Sequence, residues 1–349
     1  MEKINLGIVF GGMSTEHEVS IMSGISVIEN LDKSKYNIYN IYINKIGEWY
    51  EYNYTGKDLK LGEEIKNITL IENPYNYIKQ FDCIFPVLHG AYGEDGAIQG
   101  LFELSKIPYV GCGVLSSSVG MDKVYTKMIF EKANIKQTKH ITVIKEGSDY
   151  ILLDDKLNHC KKKIEEICDV IEKEINYPAF IKPSNSGSSI GVNKAKSKKD
   201  LIQFIDYASK FDQKVIIEKG INGREIECSI LGHRDVEASV VGEIKLGDEF
   251  YSYNDKYVDG KSIPVIPAQI AEEKANEIRK IAMKAFKAID GKGFSRVDFF
   301  LENETEEIYL NEINTIPGFT TISMYPKLWE ASGLSYSKLL EKLIDIAMK

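Results

Sequence analysis

The residues with the most evident chemistry lie within residues 295–314, where two alternating runs are separated by the polar turn Glu302-Asn303-Glu304-Thr305-Glu306. That pattern predicts a hairpin. Residues two apart in a strand share a face, so Arg296 pairs with Asp298 and Glu312 with Asn314. If the runs pair, two carboxylates and an amide oxygen converge beside a guanidinium. Such hard oxygens suit Mg²⁺ next to an anion. Pro317-Gly318 follows and could turn a backbone N–H toward an oxyanion. The plain alternative is a solvated polar strand face.

A second constellation is Lys182 followed by Ser184-Asn185-Ser186-Gly187-Ser188-Ser189-Ile190-Gly191. Small residues let backbone N–H groups approach phosphate oxygens, and the lysine adds a point charge. The order of a Walker loop is absent, and a flexible surface turn also fits. A third is the glycine-spaced loop from His89 to Gly96, which carries Glu94. Gly11-Gly12-Met13-Ser14-Thr15-Glu16 is a fourth, with Glu16 read as lying in a helix's first turn. His89 could equally be structural and Glu16 only a partner of the helix dipole.

These loops need elements to hold them. Strands are predicted at residues 4–10, 39–43 and 83–88 with helical patterns between, so the first ~120 residues read as an open, mainly parallel α/β sheet. Ligands of such sheets bind at the carboxyl ends of the strands, where Gly11 and His89 fall. Ser14 and Thr15 are the candidate caps of the first helix. A helix is predicted over 121–133. Residues 149–173 form one charged amphipathic stretch, with Ile164, Ile167, Val170 and Ile171 at helical spacing. Runs at 179–182, 215–218, 225–231 and 239–242 read as strands. The aperiodic segment 246–267 is a candidate lid.

Composition narrows the class. With 349 residues, 43% hydrophobic and 28% charged, the chain is globular and has material for two or three compact units. No run approaches the ~18 apolar residues of a membrane span, and the start has no signal-peptide pattern, so a cytoplasmic protein with no membrane partner is expected. A net charge of −8 argues against a nucleic-acid partner. Cys83, Cys112, Cys160, Cys168 and Cys228 form no CxxC pair and read as ordinary thiols.

Taken in order from about Gly11 to Leu334, these segments resemble the D-alanine–D-alanine ligases of the ATP-grasp superfamily. The specific pieces are residues 11–20, His89 to Gly96, Met121-Asp122-Lys123, Lys182 to Gly191 and Asn311 to Gly318. The resemblance implies an N-terminal open parallel α/β domain (1–120), then a two-part ATP-grasp fold (121–221 and 222–349) with a lid at 247–267. It implies ATP and two Mg²⁺ ions as cofactors, with Mn²⁺ able to substitute, and a homodimer. Lys123, Lys182 and Lys256 match phosphate-side lysines. Ser189 and Lys219 belong to the same nucleotide site, and Glu218 and Glu225 match adenosine-binding carboxylates. Asp298, Glu312 and Asn314 match metal ligands, and Arg296 and the Gly318 backbone match oxyanion-stabilising groups. Glu16 matches the carboxylate that holds the first D-alanine's ammonium, in a triad with Ser188 and Tyr257 that closes the lid. His89 and Glu94 line the substrate side, and Ser323 and Met324 match the pair for the second substrate. Ile322 stands where the family usually has His.

The implied reaction activates one D-alanine as an acylphosphate for attack by a second amine. Another ATP-grasp carboxylate–amine ligase would share Lys182, Asp298 and Glu312 in kind, but not the Glu16 and His89 loops. A non-catalytic relative would have lost metal ligands or Arg296. A D-alanine–D-serine ligase is the nearest alternative; Tyr257 disfavours a lactate-forming one, and Met324 favours D-alanine over D-serine.

Overall fold

A computed structural model of the chain describes residues 2–53, 65–154, 156–245 and 263–349. Among these, sixteen strands form three sheets. The first contains β1 (Ile4–Gly11), β2 (Tyr36–Ile43), β3 (Trp49–Tyr52), β4 (Ile68–Leu70) and β5 (Cys83–Pro86), ordered β4-β3-β2-β1-β5. β1 pairs in parallel with β2 and β5, while β3 and β4 extend the sheet as an antiparallel edge. Leu6, Ile8, Val9 and Phe10 are fully buried because β1 is covered on both faces, as central parallel strands are.

The second sheet contains β6 (His140–Glu146), β7 (Asp149–Leu153), β8 (His159–Lys162), β9 (Ala179–Pro183), β10 (Asn193–Ala195) and β11 (Lys214–Lys219). The third contains β12 (Gly223–Gly232), β13 (Val236–Lys245), β14 (Ile263–Val265), β15 (Gly293–Glu302) and β16 (Ile308–Asn314). Both are antiparallel throughout, ordered β10-β9-β11-β6-β7-β8 and β14-β13-β12-β15-β16. The predicted hairpin is β15–β16.

Several local expectations change. The stretch 149–173 is not one helix. Its first part forms β7, which pairs onto β6, and β8, which pairs onto β7; only Ile164–Glu174 is helical, burying Ile167 and Ile171. Edge pairing wins where the apolar spacing is too sparse to define a helix face. The helix expected over 121–133 forms as Lys123–Lys132, and a separate helix, Val114–Met121, precedes it and ends at Asp122. Asp122 caps Lys123–Lys132: its Oδ1 accepts Val124 N at 3.1 Å and Ser184 Oγ at 2.7 Å, and Lys214 pairs with its other oxygen. Burial raises the pKa of Asp122, but Lys214 and Ser184 outweigh it and hold the carboxyl below its ordinary value. Neither Ser14 nor Thr15 caps the first helix, His17–Asn30; its cap residue is Glu16, with no side-chain cap bond. Ser14 Oγ instead donates to His89 O, tying two loops together at 2.5 Å.

The core of the first sheet is not closed by its own segment. Helix Tyr336–Met348 packs Leu339, Leu340, Leu343 and Ile344 into the cluster that holds Leu6, Ile8 and Phe85. Phe85, Phe294, Phe319 and Tyr325 make edge and tilted ring contacts at centroid separations of 5.3–6.5 Å, joining β5, β15 and the chain after β16. All five cysteines are free, and burial pushes the Cys83, Cys112 and Cys228 thiols up to about 12.

Gly11 ends β1 with φ +94°, and a Cβ there would lie 2.2 Å from Ile43 O. Left-handed strain of ~1–2 kcal/mol adds to that overlap, so Gly11→Ala is expected to lower stability by at least ~2 kcal/mol. Urea denaturation should show a lower midpoint at unchanged slope; an unmoved midpoint would mean that the strand end relaxes.

Candidate active site

Register places the hairpin chemistry directly. Arg296 lies opposite Asn314, and Asp298 opposite Glu312, so all four occupy one patch of β15–β16. Arg296 grips Asp298 with two bonds of 2.7 Å and lies 3.1 Å from Glu227 Oε2. Burial opposes the Arg296 cation, and Asp298 and Glu227 overcome that, holding its charge more firmly than in an ordinary arginine. Asn314 Nδ2 donates to Asp298 Oδ2 at 3.0 Å. Among the described residues, no three His, Cys, Asp or Glu side chains form a ready metal cluster. The oxygen set reaches three only through the Asn314 amide. Two carboxylates and an amide carbonyl are nonetheless the hard donors Mg²⁺ takes, with waters completing its shell.

The lysines face this patch from the second sheet and the helix after Asp122. Lys123 Nζ donates to Ser186 O at 2.7 Å and stands 3.6 Å from Glu312 Oε2, linking the serine-rich loop to the hairpin. Lys182 reaches Asn311 Oδ1 at 3.3 Å and Glu218 Oε2 at 2.5 Å. Glu218 is buried, and its other oxygen takes Lys127 at 2.6 Å and Thr138 Oγ1 at 2.8 Å. Burial raises the pKa of Glu218, yet the two lysines pull it well below the ordinary carboxylate value. Burial dominates for Lys127 and lowers it; for Lys182, Glu218 and Glu312 outweigh burial and raise it. Glu225 is partly buried on β12, Ser189 partly buried in its loop, and Lys219 exposed at the end of β11.

The loops at the first sheet complete the ring. Ser188 Oγ donates to Glu16, which is 8% exposed, so the serine-rich loop closes onto the first glycine loop. Ser188 and Ser189 have φ +50° and +60°, a left-handed shape that the surrounding contacts must hold. A cavity of about 230 Å³ opens at the loops of the first sheet, with Gly12, Met13, His89, Tyr92 and Gly93 in its lining. Buried His89 bonds Ile316 O through Nδ1 and Ser23 Oγ through Nε2, both at 3.0 Å. Burial opposes its charge, and Glu94, 3.6 Å from Nδ1, more than offsets that, leaving its pKa above an ordinary histidine's. Gly318 sits where a Cβ would be 2.7 Å from Ser323 Oγ, so only glycine leaves that hydroxyl in place. Met324 is buried against Ile244 and Leu328, while Ile322 is 58% exposed. Lys256 and Tyr257, with lid residues 247–262, lie outside the described residues.

Two family models match, one described as D-ala D-ala ligase N-terminus over residues 5–112 and one as D-ala D-ala ligase C-terminus over 148–345. The chain belongs to the D-alanine–D-alanine ligase family. It is 48% identical over 365 aligned residues to the D-alanine–D-alanine ligase of Thermoanaerobacter sp. (strain X514), covering 100% of this chain and 98% of that one. Among solved structures, the VanG D-Ala:D-Ser ligase of Enterococcus faecalis superposes with TM-score 0.85 at 37% identity, over 99% of this chain and 100% of that one. The D-alanine–D-alanine ligase of Coxiella burnetii follows with TM-score 0.81 at 31% identity, over 100% and 94%. The chain thus has the ATP-grasp fold and is a ligase of an ATP-dependent family. Two groups that the motifs pass over, Lys127 and Glu227, join this arrangement through Glu218 and Arg296. Lys127 stands one turn after Lys123 on one helix, and Glu227 shares a strand face with Glu225; spacings of four and two are the signals that could have found them.

Glu218 neutralises two cations away from water, so Glu218→Gln should cost ~3–5 kcal/mol of stability. Because its folded pKa is depressed, its contribution is complete above the ordinary carboxylate range and lost only as pH falls through the lower folded value. Denaturation midpoints of parent and variant should therefore differ by a constant amount near neutral pH and converge in acid. A gap that stays unchanged into strong acid would contradict the assignment.

Proposed function

We propose that the chain ligates two D-alanines to D-alanyl-D-alanine through an acylphosphate, providing a dipeptide for peptidoglycan precursors. The observation that carries this reading is the convergence of three elements: the in-register Arg296, Asp298, Glu312 and Asn314, the lysines joined to them through Glu312 and Asn311, and the Glu16–Ser188 closure. Lys123 and Lys182 neutralise the phosphates, and Glu218 fixes the approach of Lys182. Ser189, Lys219 and Glu225 complete the nucleotide site, with Lys256 expected on the phosphate side. Asp298, Glu312 and Asn314 would hold two Mg²⁺ ions, or Mn²⁺; the chemistry supplied by metal bound there is charge compensation on the transferring phosphoryl group.

Glu16 holds the ammonium of the first D-alanine, latched by Ser188 and Tyr257, with His89 and Glu94 lining that side. Arg296 and the Gly318 N–H receive the oxyanion formed when the second amine attacks. Ser323, partly exposed beside Gly318, meets the second carboxylate, and Met324 shapes that pocket from the core by packing. We further propose the division 1–120, 121–221 and 222–349, supported by one sheet falling in each. The proposed location is the cytoplasm, which suits five free cysteines; among the described residues, no helix is long and apolar enough to cross a membrane. A homodimer through exposed Leu104, Val114 and Leu115, on the adjacent helices Ala97–Ser105 and Val114–Met121, covers the apolar side chains there.

The likeness to VanG keeps a D-alanine–D-serine ligase as the alternative. Incubation with ATP, Mg²⁺ and D-alanine, alone and with equal D-serine, separates them by mass spectrometry. D-Alanyl-D-alanine should predominate by ~tenfold or more, since a serine hydroxyl without a partner costs ~1–3 kcal/mol. Predominant D-alanyl-D-serine would sink the D-alanine reading.

Glu312→Gln tests the metal assignment. It is expected to abolish turnover while leaving the thermal midpoint near the parent's, because a neutral amide cannot compensate the phosphoryl charge. Near-normal phosphate release from the folded variant would refute it.

A further inference from the structure

We infer that Ser23 is a positioning residue for the Gly318 turn, acting together with His89. Ser23 lies on helix His17–Asn30 and is 0% exposed. Its Oγ accepts the Phe319 N–H at 3.1 Å and stands 3.0 Å from His89 Nε2. His89 Nδ1 stands 3.0 Å from Ile316 O. Two side chains of the first sheet's loops and helix therefore grip the backbone on both sides of Pro317-Gly318. The Tyr336 hydroxyl adds a third hold, donating to Phe319 O at 2.6 Å.

For the neutral imidazole, counting protons fixes the direction of each bond. Nδ1 must carry hydrogen, because a lone pair at that distance would face the Ile316 carbonyl. In the neutral ring, Nδ1–H leaves Nε2 unprotonated, so Ser23 Oγ, which accepts from Phe319, donates its own hydrogen to Nε2. The neutral Nδ1–H imidazole thus closes the chain Phe319 N–H to Ser23 to His89 to Ile316 O with every donor matched. The Nε2–H form leaves the serine hydrogen without this acceptor and sets two acceptors against each other at Ile316. Removing the serine oxygen would strand the Phe319 N–H and His89 Nε2 together, and the Pro317–Gly318 peptide held between Ile316 O and Phe319 N is the one that presents the Gly318 N–H.

The inference rests on the reading of that N–H as the oxyanion donor, and its first test does not depend on turnover. Side-chain nitrogen NMR of the unmodified full chain, in mildly alkaline solution, should show His89 as the Nδ1–H tautomer, although free imidazole prefers Nε2–H. Its signal is assigned among the five histidines by its loss in His89→Gln. An Nε2–H tautomer would overturn the proposal. In Ser23→Ala, kcat should fall roughly ten- to hundredfold with KM for ATP within about twofold, the cost of a misplaced reacting group. Ser23→Thr, which keeps the hydroxyl, should recover most of the loss. A folded Ser23→Ala with a lowered melting temperature and parental kcat would assign Ser23 a structural role only and overturn the proposal. If that variant does not fold, the tautomer decides. A parent that makes no dipeptide would fail the ligase reading instead, and leave the tautomer result standing.

Discussion

Glu218 is buried and takes three hydrogen-bond donors, namely Lys127, Lys182 and Thr138. An isolated buried carboxylate would be too costly to keep ionised, and two isolated buried ammonium groups costlier still. Brought together they hold a fixed geometry. One lysine comes from the helix after Asp122, the other from β9, and the carboxylate from β11. The interaction therefore sets how the helix that carries Lys123 lies against the second sheet. Lys123 in turn reaches Glu312 on the third sheet, and Lys182 reaches Asn311. The positive side of the site is built into the core and does not depend on flexible surface chains.

The negative side is organised by the same rule in reverse. Asp298, Glu227 and Glu312 crowd onto neighbouring strands, and Arg296 among them relieves the repulsion through its planar fork. Both of the Asp298 oxygens are committed to Arg296, and Asn314 shares one of them. A cation entering this patch would compete with Arg296 for Asp298, while Glu227 remains to hold the guanidinium. Arg296 is thereby kept at the edge of the acidic patch, the position that the proposed oxyanion role requires.

The loops of the first sheet depend on both sides. Glu16 meets Ser188 across a sequence separation of 172, and His89 meets Ile316 across 227. Loops that long in separation cannot be ordered by local preference. They are ordered because the aromatic cluster of Phe85, Phe294, Phe319 and Tyr325 fixes the first sheet against the third, with helix Tyr336–Met348 closing the core beneath. Packing and site are thus one structure, the burial of Phe319 being what sets the Gly318 turn beside Ser323.

Where chemistry is carried by residues of special type at fixed spacing, the sequence alone determined a great deal. The alternation of Arg296 with Asp298 and of Glu312 with Asn314 predicts one patch because the side-chain period of a strand is two. The glycine and serine loops were legible because small residues serve few other purposes. Gly11 takes a φ that only glycine tolerates cheaply, and the hairpin turn announced itself by polarity. What only the tertiary structure decided is of another kind. The capping contacts of Asp122 and the strands β7 and β8 follow from partners, Ser184, Lys214 and β6, that no local window contains. Lys127, Glu227 and Ser23 look ordinary in sequence, since a lysine, a glutamate or a serine on an amphipathic element is usually solvated. Burial and a distant partner tie them to the candidate site's residues, and both are properties of the packed chain.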